Sequence, residues 1–144
     1  MTAFLLSVHV IAAIVFIGPV TVATSLFPRY AREGNAPVVE VLHRISRVYA
    51  VLGVSVPVFG IATGAQLGVL GDPWLVVSLA LTAGAAALLA LVVLPGQARV
   101  VAGLRAAEPV RVAPRLAAAS GVFALTWAVV VVLMIVRPGS TTGV

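Results

Sequence analysis

The sequence predicts an all-α membrane protein, a bundle of four transmembrane helices with both termini on the outer side (N-out/C-out). Three observations predict it. Hydrophobic residues make up 62% of the 144 residues and charged residues 9%, far below the roughly 25% charged residues of a soluble domain. The apolar residues fall in four long blocks, each near the ~20 residues that cross a hydrocarbon core about 30 Å thick. Eight of the nine basic residues, all arginines, lie between blocks one and two or between blocks three and four.

The first span is read as residues 4–27, ended by Pro28 and Arg29. No basic residue precedes it, and it is too long for the apolar core of a secretory signal, so it is expected as a retained helix. The second runs over 48–67, with an interfacial extension back to about Val38. Gly68, Gly71, Asp72 and Pro73 then make a tight turn. The third runs over 74–94 and ends at Pro95-Gly96, and the fourth over 116–136, ending at Arg137-Pro138-Gly139. Four spans leave no room for a soluble domain, so residues 1–144 are read as one transmembrane domain. The polar tail from Ser140 is expected to fray.

The arginines set the orientation. Arg29, Arg32, Arg44 and Arg47 belong to the first long connection, Arg99, Arg105, Arg111 and Arg115 to the second, and Arg137 alone to the other side. Short cytoplasmic loops carry the excess of basic residues, so both long connections are expected inside. The setting this implies is multi-pass, in the bacterial cytoplasmic (inner) membrane. These arginines also suit anionic lipid head groups. A soluble protein with net charge +5 would suggest nucleic acid. Here topology accounts for the charge, and no nucleic-acid partner is expected. Trp74 suits the outer aromatic belt, and Tyr30 and Tyr49 the inner one.

Small residues mark packing faces. Ser46, Ala50, Gly53, Pro57, Gly60 and Gly64 recur at steps of three and four in span two, and Ala117, Gly121, Ala124 and Ala128 in span four. Such residues let helix backbones approach closely in lipid. They serve packing within the bundle, or contacts in a homo-oligomer or with other membrane subunits.

Few residues could carry chemistry. His9 lies inside span one, where an ionisable group is a functional candidate by default. It could ligate haem iron, bind a metal or relay protons, or be a neutral histidine hydrogen-bonded to a neighbouring helix. His43 precedes span two beside Arg44, at the opposite depth, so the two histidines are not expected to share a ligand. Met134 should lie level with His9 and is a candidate second haem ligand, or a packing residue. Pro19 and Pro57 interrupt spans one and two, with Thr21, Thr24 and Ser55 as candidates to satisfy the freed carbonyls. Trp127, midway along span four, needs a partner for its indole N–H, with Thr126, Thr82 or a ligand as options.

The absences narrow the classes. There is no cysteine, hence no disulfide, thiolate metal site or cysteine nucleophile. No carboxylate falls within a span, which speaks against an ion-coupled transporter. There is no Walker loop, HExxH or nucleophile elbow, and no metal site is expected. A non-enzymatic role is the expectation.

Four segments carry a family resemblance: "LLSVHVIAAIVFIGPV" with His9 and Gly18, "FPRYAR", "GDPWLVVSLAL" and "LPGQAR". With these the chain resembles an uncharacterised bacterial family of integral membrane proteins (domain of unknown function 2269). Its opening is distantly similar to copper-resistance D-like proteins and the HemJ-type protoporphyrinogen oxidase, some of which bind haem b through membrane histidines. That likeness implies haem b as a cofactor and carries over to His9 alone. The chain lacks the further histidine and lysine residues of the HemJ-type pattern. The primary expectation is a small accessory or structural subunit of a larger membrane complex. The alternatives are a haem-b-binding redox protein using His9, and a small oligomeric channel or exporter.

Overall fold

The computed structural model describes residues 1–140, so most of the tail expected to fray lies outside the described residues. Four helices are long and apolar enough to cross a membrane: α1 Thr2–Arg32, α2 Ala36–Leu67, α3 Pro73–Arg105 and α4 Pro114–Val136. The described residues contain no strand. Tight connections make neighbouring helices antiparallel, which puts Met1, the 68–72 turn and Arg137 at one end of the bundle. That end is called the terminal end below. The other connections, at 33–35 and 106–113, mark the arginine end.

At the arginine end α1 and α3 outrun the predicted spans by five and eleven residues (27 to 32, 94 to 105), while α2 begins at Ala36, two residues before the extension expected from about Val38. The apolar stretches stop where hydropathy says, but the helices continue through Pro28 and Pro95. A proline removes one backbone donor and crowds the preceding turn, and the chain absorbs this without breaking. At Pro95 the absorbing element is a π-helical turn, Leu89–Val93. As a result Arg29, Arg32, Arg44, Arg47, Arg99 and Arg105 sit on helix extensions rather than in loops. Asn35 caps α2 by accepting a hydrogen bond from the Val38 N–H at 3.3 Å, as N-cap side chains do.

Pro19 is handled in the same way. A second π turn, Ala13–Ile17, ends two residues before Pro19, just as the first ends two before Pro95. Widening the helix shifts the bonding register, so the carbonyl opposite the proline ring is not left facing a missing donor. In α2 the interruption falls at Val54, three residues before Pro57. The hydroxyls expected to repair these sites do something else. Thr21 and Thr24 donate to the Ile17 and Val20 carbonyls, and Ser55 donates to Leu52. None reaches the carbonyl four residues before a proline (Val15 or Gly53). A hydroxyl on a helix finds its own preceding turn first.

Packing is uneven along the bundle. The main core fills the arginine half: Val20, Phe27 and Ala31 of α1, Val39 and Leu42 of α2, Leu89, Val93 and Val100 of α3, Leu116 and Phe123 of α4. A small cluster of Val69, Trp74 and Leu75, flanked by Leu79 and Met134, closes the terminal end. The glycine seam of α2 is used inside the chain. A Cβ on Gly53 would come 2.9 Å from Ile17, and one on Gly64 2.9 Å from Leu75. Gly121 differs, with nothing within 4 Å of a would-be Cβ.

Candidate functional site

A cavity of about 540 Å³ lies between the two clusters. It takes its lining from all four helices, and its walls are largely apolar: Leu6, Val10, Ile14, Val56, Leu75, Leu79, Val130. The polar groups on it are His9, Thr82, Trp127 and Arg137, with the Met134 thioether. The bends create the space. Ala13, Val56 and Pro57 line it, so it opens where the π turn of α1 and the break in α2 lie side by side. On the terminal side of those bends, α1 packs on α2 and α3 packs on α4, while α1 and α4 meet chiefly in the arginine half. Val10 and Ile14 of α1 and Val131 and Ile135 of α4 line the cavity and are exposed. The mouth therefore opens sideways between α1 and α4, through an apolar rim.

His9 is the one ionisable side chain on the wall within the apolar part of a helix. Its Nδ1 lies 2.8 Å from the Val56 carbonyl oxygen. A carbonyl oxygen can only accept, so Nδ1 carries a proton, and Nε2 is the nitrogen that the ring can present as a donor to a ligand in its Nδ1–H tautomer. Nε2 makes no hydrogen bond among the described residues. The ring lies against Gly60, where a Cβ would come 2.9 Å from Cε1 and 3.2 Å from Nδ1. Gly60 thus provides the seat for the imidazole, and Val56, in the first turn of the helix after the break at Val54, provides the carbonyl that orients it.

Trp127 lines the same cavity, and its indole N–H has no hydrogen-bond partner among the described residues. Thr82, one of the expected partners, donates to the Ser78 carbonyl at 2.7 Å instead. Met134 shares the cavity with His9, as depth matching predicts. Trp74 is not in a lipid-facing belt: it is 4% exposed. Its Nε1 donates to Asp72 Oδ2 at 3.0 Å, and the Arg137 guanidinium lies 5.3 Å from its ring centroid. Holding an indole between a carboxylate and a guanidinium turns it into the plug of the terminal end. Arg137, read from sequence only as the lone arginine of its side, also lines the cavity.

His43 belongs to a separate structure at the arginine end. Its Nδ1 lies 3.0 Å from Gln97 Oε1, the Gln97 amide donates to Ser46 Oγ at 3.3 Å, and Ser46 donates to the Leu42 carbonyl at 2.9 Å. Gln97 is fully buried, and sequence reasoning missed it. The signal was a lone amide in "LPGQAR", in the last part of α3, Leu94–Arg105, whose other polar residues are arginines. The two histidines line different cavities. Among the described residues no three His, Asp or Glu side chains gather as a metal site.

Four long apolar helices with a sparsely polar interior define an integral membrane protein. The chain belongs to the family described as "Predicted integral membrane protein (DUF2269)", whose profile matches residues 3–138. No curated protein and no solved structure matches it.

Proposed function

We propose that the protein binds a small, largely apolar ligand in the cavity around His9, and that haem b is the ligand its donor set favours. The observation that carries this reading is the His9 ring. Its Nδ1–H is held by the Val56 carbonyl, and its Nε2 is left unpaired on the wall of an apolar cavity. Histidines prepared for a metal have this arrangement, with one nitrogen fixed by a carbonyl so that the other is presented. A cavity of about 540 Å³ falls within the roughly 300–1,000 Å³ of small-molecule sites. Met134 offers a second soft donor, and Arg137 at the terminal end offers a cation for a carboxylate. Haem b would supply a one-electron couple at this depth. The sideways mouth suits a ligand that partitions into the bilayer. The proposed setting is the bacterial inner membrane with both termini outward, since eight of nine arginines gather at the other end.

The test is the visible spectrum of protein purified in mild detergent after haem supplementation, oxidised and reduced. The expected result is a Soret band lost in His9→Ala and altered in Met134→Leu. Circular dichroism would establish that both variants remain helical. A colourless wild-type protein would overturn the haem reading.

One observation favours a second reading, an accessory or structural subunit. Among the described residues nothing lies within 4 Å of a would-be Cβ on Gly121, and small residues at helix surfaces suit close approach by another helix. Gentle solubilisation followed by mass measurement tests it. A monodisperse single chain without partners would count against it.

A further inference from the structure

A second recess, about 500 Å³, lies at the arginine end between α2 and α3. Its lining changes character along the membrane axis. Glu40, His43, Arg44, Arg47 and Arg105 form the part nearer the helix ends, with Val101 beside them, and Val48 and Val51 the part toward the apolar spans. Arg44, Arg47, Val48 and Val51 follow one another at helical steps of three, one and three, so a single face of α2 passes from guanidinium to valine within two turns.

The charges are unbalanced. Glu40 is held by Arg105, Nε to Oε1 at 2.7 Å, so that carboxylate is already engaged. Among the described residues, Arg44 and Arg47 have no carboxylate within ion-pair distance. They stand three residues apart on one helix face, where like charges repel, and Arg105 faces the same recess. His43 adds a ring oriented from behind: the Gln97 oxygen accepts from Nδ1–H, leaving Nε2 for the groove side. That orientation rests on a buried chain of hydrogen bonds, so the recess has a rigid polar wall. Guanidinium pairs grip phosphate oxygens in bidentate fashion, and Val51, 73% exposed, offers the apolar surface that follows.

We propose that this recess is a binding site for a phosphate ester carrying an acyl chain, that is, one anionic phospholipid. Arg44 and Arg47 hold the phosphate, and Val48 and Val51 contact the chain. The shared chemistry, a phosphate anion, could also come from a soluble ester, and the apolar wall favours the lipid.

Native mass spectrometry of the full chain tests this. The protein is delipidated in detergent, then titrated separately with phosphatidylglycerol, phosphatidylcholine and soluble glycerol phosphate. One phosphatidylglycerol per chain should bind in preference to phosphatidylcholine, and glycerol phosphate should not compete at equal concentration. Arg44→Gln/Arg47→Gln should weaken phosphatidylglycerol binding roughly thirtyfold, each arginine near an anionic surface contributing on the order of fivefold. Arg99→Gln/Arg111→Gln removes the same charge from the same end but outside the recess, and should leave binding within about twofold. Arg44→Lys/Arg47→Lys keeps the charge without the fork, guards against misfolding of the neutral variant, and should give an intermediate loss. Equal binding of the two lipids, or an equal loss in the Arg99/Arg111 variant, would overturn the proposal. Full competition by glycerol phosphate would assign the site to soluble esters instead.

Discussion

Gly60→Ala isolates the seat of His9. In open space, replacing a helical glycine by alanine lowers the entropy lost on folding and stabilises by roughly 0.5–1 kcal/mol. At Gly60 the new methyl would lie 2.9 Å from Cε1 and 3.2 Å from Nδ1 of the ring, so the imidazole must retreat. Retreat strains or breaks the 2.8 Å hydrogen bond to Val56, worth about 0.5–1.5 kcal/mol, and crowding adds about 1–3 kcal/mol. The losses exceed the gain, and the expected net is a destabilisation of about 0.5–4 kcal/mol, centred near 2. Gly121→Ala is the control. Nothing lies within 4 Å of its new methyl, so it should keep the full gain of about 0.5–1 kcal/mol. Thermal unfolding in one detergent, followed by circular dichroism, should move the midpoint in opposite directions for the two variants. A double-mutant cycle sharpens the assignment. In a His9→Ala background the ring is gone, and the penalty at Gly60 should vanish. If Gly60→Ala raised the midpoint as Gly121→Ala does, the imidazole would not rest on Gly60 and the orientation deduced for Nε2 would fail.

Gln97→Ala should cost about 2–4 kcal/mol, because it opens a void and leaves the His43 Nδ1–H unpaired; unfolding in a denaturant series measures it. Trp74→Phe removes the indole donor to Asp72 and weakens the stack under Arg137. A loss of about 1–2 kcal/mol is expected, with a smaller loss in Asp72→Asn, which keeps an acceptor. The chain has no cysteine, so single substitutions report topology directly. Gly71→Cys should react with a membrane-impermeant maleimide in intact cells, and Glu108→Cys only after the membrane is permeabilised. The reverse pattern would invert the orientation read from the arginines.

What could be read from the sequence follows from what is local. Hydropathy over twenty residues is a property of one segment, so all four helices were legible. So was the placing of His9 and Met134 toward the same end, because rise per residue and helix direction suffice for that. The arginine-side ends of α1 and α3 were not, since they depend on how a proline is absorbed. Pro28 and Pro95 read as stops, yet a proline costs one donor and some crowding, and a π turn redistributes both. Trp74 read as a belt residue because aromatic side chains favour the interface. Its real position depends on Asp72 and Arg137, sixty-five residues apart and adjacent only in the fold.

The cavity shows the same limit at a larger scale. The sequence singles out His9, Pro57, Trp127 and Met134 one at a time, but nothing local joins them on one wall, and most of the remaining lining is the valine, leucine and isoleucine of any membrane helix. It exists because two interruptions coincide, the π turn Ala13–Ile17 before Pro19 and the break at Val54 before Pro57. Either bend alone would tilt one helix and could be closed by its neighbour. Side by side they divert the terminal halves of α1 and α2 together, while α4 stays with α3. The missing side chain at Gly60 lets the His9 ring reach the backbone of α2, where the Val56 carbonyl holds it. The prolines therefore do more than shape the bundle. They shape the space on whose wall an imidazole, seated on Gly60, meets a carbonyl, and substituting alanine for both Pro19 and Pro57 should narrow that space, so that an apolar fluorescent probe taken up by the wild-type cavity binds more weakly to the variant; unchanged probe binding would refute it.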